Sequence, residues 1–316
     1  MAVLDRDDVR FRLELFLDFD DGLGNNPMEP FIDVINNPAT RAFYRLEYAD
    51  FIPQAREYQQ QSEQQTAVQS GNVQTRIIEE GRIAKVSIRQ MSRQTMEGDS
   101  IQLIEFFESI ASYEHLIIDI RGNPGGSSLY FPELVIAPNI SETLYYHQYM
   151  FLIAGEHNMR FLEPRIETGG LQFTPVSPEL FDGLPYFHPN DSDILDYYIR
   201  ISGQINPSQE EAIFAGKAWL LIDGFNFSAS GLAAEIVKET GFATLVGRPT
   251  SSSGAGLDPT IVALPNSGII VQYQTMYGTN FQGRNGYEYG TQPHVLNFSG
   301  MDALETALLL IEQGEY

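Results

Sequence analysis

Four short apolar runs, each closed by a turn, set the pattern of the chain: IAKVSI at 83–88, LIIDI at 116–120, AWLLI at 218–222 and ATLV at 243–246. LIIDI is continuous instead of alternating, as expected of a strand buried on both faces. Between the first two runs, Ile101, Ile104, Phe107 and Ile110 recur at the three-and-four spacing of one buried helix face. Strand, helix and strand at this spacing predict a right-handed βαβ unit. The pattern resumes after AWLLI, with a helix-like segment to Glu239 and then ATLV. Residues 260–264 and 268–274 predict two more strands, joined by the turn Pro265-Asn266-Ser267. Residues 302–313 form an amphipathic helix pattern, with Ala303, Leu304, Ala307, Leu308 and Ile311 on one side.

The remaining stretches are less regular. Residues 11–21 alternate in part, Gly22 to Pro27 mark a turn, and 31–58 hold helical pieces. Residues 59–74 are polar and glutamine-rich, which reads as a linker. The expected organisation is therefore an N-terminal helical or mixed subdomain with its linker, 1–74, and a main domain, 75–316. Residues 129–216, rich in aromatics and prolines, are expected to give strands or a lid around a cleft, with a helix near 192–202. The predicted fold is α/β (α+β in some schemes): a central mixed sheet with βαβ units and flanking helices.

Composition narrows the function. The 316 residues are 43% hydrophobic, with 20 Phe and 16 Tyr, enough for a sizeable core. A formal net charge of −23 argues against nucleic acid or an anionic membrane surface as a partner, because both need clustered cations. With no cysteine, thiol catalysis, thiolate metal sites and disulfides are excluded. No apolar run approaches the length of about eighteen residues that a transmembrane helix requires. The charged opening residues do not read as a secretory leader.

Two turns after apolar strands carry the candidate chemistry. Ser228-Ala229-Ser230 lies between a strand and a helix. There a hydroxyl is presented beside free helix-start N–H groups, the arrangement a serine nucleophile needs. The other reading of Ser228 or Ser230 is a helix N-cap. The second turn, RGNPGG at 121–126, follows LIIDI. Its glycines allow positive φ and close backbone approach. It matches neither phosphate-loop spacing, so it is a tight turn or an oxyanion hole lined by the N–H of Gly125 or Gly126.

Taken together, IIDIRGNPGGSS and FSASGLAAEIVKETGFATLVGRPTSSSGAG resemble the tail-specific, or C-terminal processing, serine peptidases and their tricorn-like relatives. The matching features run in family order: Asp119 to Gly126, Ser228 to Ser230, Ala243 to Gly247 with Thr250, 264–268, Gly290 to Pro293 and the terminal helix. The resemblance covers roughly residues 80–313 and implies a ClpP/crotonase-like core. It also implies a polypeptide substrate, no metal or nucleotide cofactor, and an extracytoplasmic or secreted location. Ser228 falls at the nucleophile position, and Ala229 with Gly125 or Gly126 at the oxyanion hole. Asp119 and Arg121 are expected to hold the turn.

The departures concern the base. Ser253 occupies the position of the processing peptidases' lysine, and Gly231 that of the acidic residue after the serine. The histidine of tricorn-like members is also missing from IAKVSI, where Ser87 stands near its place, and Lys238 is expected to face solvent. His294, or one of His147, His157 and His188, is a candidate base, and Glu288 resembles the acidic position that orients a base. No PDZ module is expected in 1–78, because Gly22-Leu23-Gly24 is followed by Asn25. The expected function is a serine endopeptidase. An inert peptide-binding member of the fold, or a small-ester hydrolase on the same site, are the alternatives.

Overall fold

The structure, a computed structural model, describes residues 2–3, 38–44, 71–167, 172–187, 190, 193–256 and 260–315. It divides into two compact units, one of residues 1–68, 152–172 and 256–277, the other of 69–151, 173–255 and 278–316.

A six-stranded sheet organises the larger unit. In chain order its framework is β1 (Val73–Glu79), β2 (Ile83–Ile88), α1 (Met96–Ser109), β3 (His115–Asp119) and β4 (Lys217–Ile222). Then come α2 (Ala229–Thr240), β5 (Thr244–Gly247), β6 (Val295–Leu296) and α3 (Ala303–Gln313). The strands lie in the order β6-β5-β4-β3-β2-β1. All neighbours are parallel except β1, which pairs antiparallel to β2, so the sheet is mixed as predicted.

Both faces of the sheet are covered. Val86, Ile88, Leu116, Ile118, Ile120, Leu220 and Ile222 share a core with Leu103 and Phe107 of α1 and Ala233, Ile236 and Val237 of α2. Ile117, Trp219, Leu221 and Val246 instead pack with Ala307, Leu310 and Ile311 of α3. Successive β3 side chains therefore alternate between two dry layers, which is why LIIDI carries no polar residue until Asp119. The register aligns Ser87, Asp119, Leu221 and Val246 across β2, β3, β4 and β5. Their carboxyl ends thus finish together, and the glycine and serine turns both leave from that edge.

Some expectations are corrected. The buried side of α1 is Leu103, Phe106, Phe107 and Ile110, whereas Ile101 is 60% exposed. Ile101 sits two residues before Leu103, roughly 200° around the helix, so it points away from the sheet. The helix expected near 192–202 is a strand, Tyr197–Ile205, in which Ile199 and Ile205 are buried. Its β-branched and aromatic residues suit a pleated surface. It runs beside Leu144–Leu152 and Thr174–Pro175 in a second sheet. β1 begins within the stretch read as linker, and Val73 is buried. The rest of that linker and the 11–21 segment lie outside the described residues.

In the smaller unit, Thr260–Ala263 and Ile270–Tyr273 form the predicted antiparallel pair, and Ala2–Val3 joins its edge. The helix Glu156–Glu167 sets Phe161 edge-on to Tyr273, ring centroids 6.5 Å apart. Among the described residues, no helix is long and apolar enough to cross a membrane.

A charged cluster fastens the glycine turn to this framework. Arg121 donates from Nε and Nη2 to the two oxygens of Asp119, each at 2.8 Å, and Lys85 Nζ donates to the same carboxylate at 2.8 Å. Arg121 Nη1 also donates to Asp302, the N-cap of α3, at 3.0 Å. Burial pushes the Asp119 carboxyl up, but the bonds from Arg121 and Lys85 outweigh it and leave the pKa below its ordinary 3.8. A depressed carboxyl contributes stability above its unfolded pKa and loses it as pH falls through the folded value. Asp119→Asn should therefore lower the unfolding free energy by about 2–3 kcal/mol at neutral pH. The gap from wild type should close as pH drops below 3.8. Urea unfolding across that range measures it, and equal midpoints at pH 7 would contradict the assignment.

Candidate active site

The glycine turn is set by side-chain bonds to its own backbone. Asn123, fully buried, accepts the Gly125 N–H at Oδ1, 2.8 Å, and donates from Nδ2 to the Ile88 carbonyl at 3.1 Å. Asp223 Oδ1 accepts the Gly122 N–H at 3.0 Å. Asn226, also fully buried, donates to the Ile120 carbonyl and accepts the Asp223 N–H at 2.8 Å. Gly125 has φ 104°, and a Cβ there would stand 2.5 Å from the Phe227 carbonyl, 2.9 Å from the Ala229 nitrogen and 3.0 Å from Ser228 Cβ. The two turns identified in the sequence are therefore in contact, and glycine is what lets them be.

The serines divide in role. Ser230 is fully buried; it accepts the Phe227 N–H at 3.0 Å and donates to the Asn123 carbonyl at 2.6 Å, tying α2 to the glycine turn. Ser228 is exposed, and its side chain makes no cap to α2, so the N-cap reading fails for it. At φ 53°, ψ −122° it is the one non-glycine residue with positive φ among the described residues. Such a conformation costs about 1–3 kcal/mol and persists only where neighbours over-determine it. Of the amides from Arg121 to Ser127 and from Asn226 to Ser230, only those of Gly126 and Ala229 lack a partner among the described residues. Between the two glycines proposed as oxyanion donors, Gly126 is thus the one with a free N–H; that of Gly125 is held by Asn123.

The candidate bases lie elsewhere. Ser253 is 1% exposed and its hydroxyl has no partner among the described residues; Gln148 donates to its carbonyl at 3.1 Å. The neighbouring Ser252, which the sequence did not single out, is the one that touches the junction, accepting the Ser228 N–H at 2.9 Å. His294 accepts the Leu245 N–H at Nδ1, 2.9 Å, and burial lowers its pKa. A neutral imidazole with Nδ1 so engaged carries its proton on Nε2 and has no free lone pair to act as a base. Glu288 sits in a one-turn helix, Gly286–Tyr289, where its N–H donates to Asn285 Oδ1 at 2.7 Å. That helix still borders the serine turn, with Tyr287 6.2 Å from Phe227 between ring centroids.

His147 pairs through Nδ1 with Glu239, eleven residues beyond Ser228 and so about 16 Å along the axis of α2. Burial pushes the Glu239 carboxyl up to about 7. Lys238, expected to face solvent, is half-buried and donates to the Gln292 carbonyl. His157 lies on the helix of the smaller unit, and His188 is outside the described residues.

The comparisons with known proteins follow the same outline. Residues 82–296 match the profile of peptidase family S41. The chain belongs to this family. A putative peptidase from Parabacteroides merdae ATCC 43184 shares the fold at TM-score 0.51 and 17% identity, over 79% of this chain and 69% of that one. The photosystem II D1 C-terminal processing protease aligns at TM-score 0.43 and 17% identity, covering 77% and 53%. Mature CPAF complexed with lactacystin aligns at 0.47 and 20%, covering 67% and 46%. The chain thus spans about half the length of these last two. No curated protein matches. Both turns singled out in the sequence meet at one edge of the sheet.

The close approach of the turns is testable. Gly125→Ala should destabilise the protein by about 2 kcal/mol or more, since a Cβ at positive φ would also collide with the Phe227 carbonyl. Gly122→Ala, at φ 76° but with open space around it, should cost about 1 kcal/mol. Thermal or urea unfolding of both variants checks this; equal losses would mean that the contact contributes nothing.

Proposed function

We propose that the protein is a serine endopeptidase of the tail-specific processing type, with Ser228 as nucleophile. The observation that carries this reading is the exposed Ser228, uncapped and held at positive φ in a junction that touches the glycine turn, with the Gly126 and Ala229 amides unpartnered among the described residues. A capping or packing serine has no use for that strain; a nucleophile aimed at a substrate carbonyl does.

In the reaction, Ser228 Oγ attacks a peptide carbonyl carbon and passes its proton to a solvent water. The tetrahedral oxyanion accepts hydrogen bonds from the Gly126 and Ala229 N–H groups. Collapse breaks the C–N bond, the departing amine takes up a proton, and a serine ester remains. Water then hydrolyses the ester and returns the proton to Ser228. Loss of one such donor typically costs about 2.7–4 kcal/mol of transition-state stabilisation.

A second reading, a peptide-binding member that does not cut, is favoured by one observation. His294 and Lys238 are bonded to Leu245 and Gln292, and Ser253 is buried. Without a base, a serine hydroxyl is a weak nucleophile at neutral pH.

A fluorophosphonate probe separates the two. The peptidase reading expects a covalent adduct on Ser228 by mass spectrometry, absent in Ser228→Ala, together with cleavage of an unfolded polypeptide. No adduct between pH 5 and 10, with peptide bound equally by wild type and Ser228→Ala, would leave the binding reading in its place.

A further inference from the structure

The strained conformation of Ser228 needs a restraint, and the structure contains one outside the usual catalytic groups. The Ser228 N–H points away from the glycine turn and donates to Ser252 Oγ at 2.9 Å. The Gly254 N–H reaches the same oxygen at 3.3 Å. Ser252 is 1% exposed, so water has no access to take over as acceptor.

The loop carrying Ser252 is itself firmly seated. Thr250 Oγ1 donates to the Ser252 carbonyl at 2.6 Å and accepts the Thr291 N–H at 2.7 Å. Thr291 Oγ1 in turn donates to the buried Glu235 of α2 at 2.6 Å. A Cβ on Gly231 would stand 2.2 Å from the Ser252 carbonyl oxygen and 2.9 Å from its hydroxyl, so the loop rests directly on the first turn of α2. Glycine at 231, one of the departures from the family pattern, is what admits it.

We infer that Ser252 is a positioning residue: its hydroxyl oxygen, by accepting the Ser228 N–H, holds Ser228 at positive φ with its side chain free to attack. Ser252 touches neither substrate nor the reacting atoms, and its effect passes through the backbone of Ser228. The inference rests on the reading of Ser228 as nucleophile for its catalytic consequence, but not for the restraint itself.

Two readouts on Ser252→Ala in the full chain test it. With a fluorophosphonate probe, the maximal labelling rate at Ser228 should fall about tenfold to a hundredfold while the concentration for half-maximal rate stays within about twofold, because the nucleophile is misaimed and the binding surface is intact. Hydrogen–deuterium exchange at the Ser228 amide should accelerate, with the core strands still protected. If wild type is not labelled at all, the nucleophile reading fails and the amide exchange alone decides the restraint. Equal labelling rates, or equal Ser228 protection, in the two proteins would overturn the inference. Should Ser252→Ala fail to fold, Ser252→Cys takes its place with the same two readouts, since it keeps the volume and offers a much weaker acceptor.

Discussion

The contact between the backbone of Gly125 and the Ser228 junction is the constraint on which the rest of the site depends. It brings together two turns about a hundred residues apart in sequence, leaving no room for a side chain between them. Everything nearby serves that approach. The aligned carboxyl ends of β3 and β4 start both turns at one level. Asn123, Asn226 and Ser230 then bond across from one turn to the other or to the strands beneath. These are neutral groups, fully buried and geometrically satisfied, so they hold position without the desolvation cost of buried ions.

A charged cluster lies on the other face of the sheet. Lys85, Asp119 and Arg121 form a cluster that reaches the N-terminus of α3, on the face of the sheet opposite α2. This arrangement anchors RGNPGG.

In the loop at 250–254, Ser253 is buried with a hydroxyl that has no partner among the described residues, and its neighbour Ser252 accepts the Ser228 N–H. Three of the ionisable groups that the sequence offered are committed to local bonds: His294 to the edge of the sheet, Lys238 to the Gln292 carbonyl, His147 to the far end of α2.

By itself the amino-acid order determined the strands of the central sheet, the flanking helices and the two turns, because each depends on local signals. LIIDI had to be buried on both faces, RGNPGG had to turn sharply, and Asp302 with Glu305 had to cap a helix. Periodicity misjudged Ile101 and the 197–205 strand, where short apolar patterns serve helix and strand alike and packing chooses between them. Only the tertiary structure decided which glycine kept a free amide and which serine was buried. It also showed that Ser252, not Ser253, reached Ser228. Those outcomes depend on contacts between segments remote in sequence. No local pattern records them.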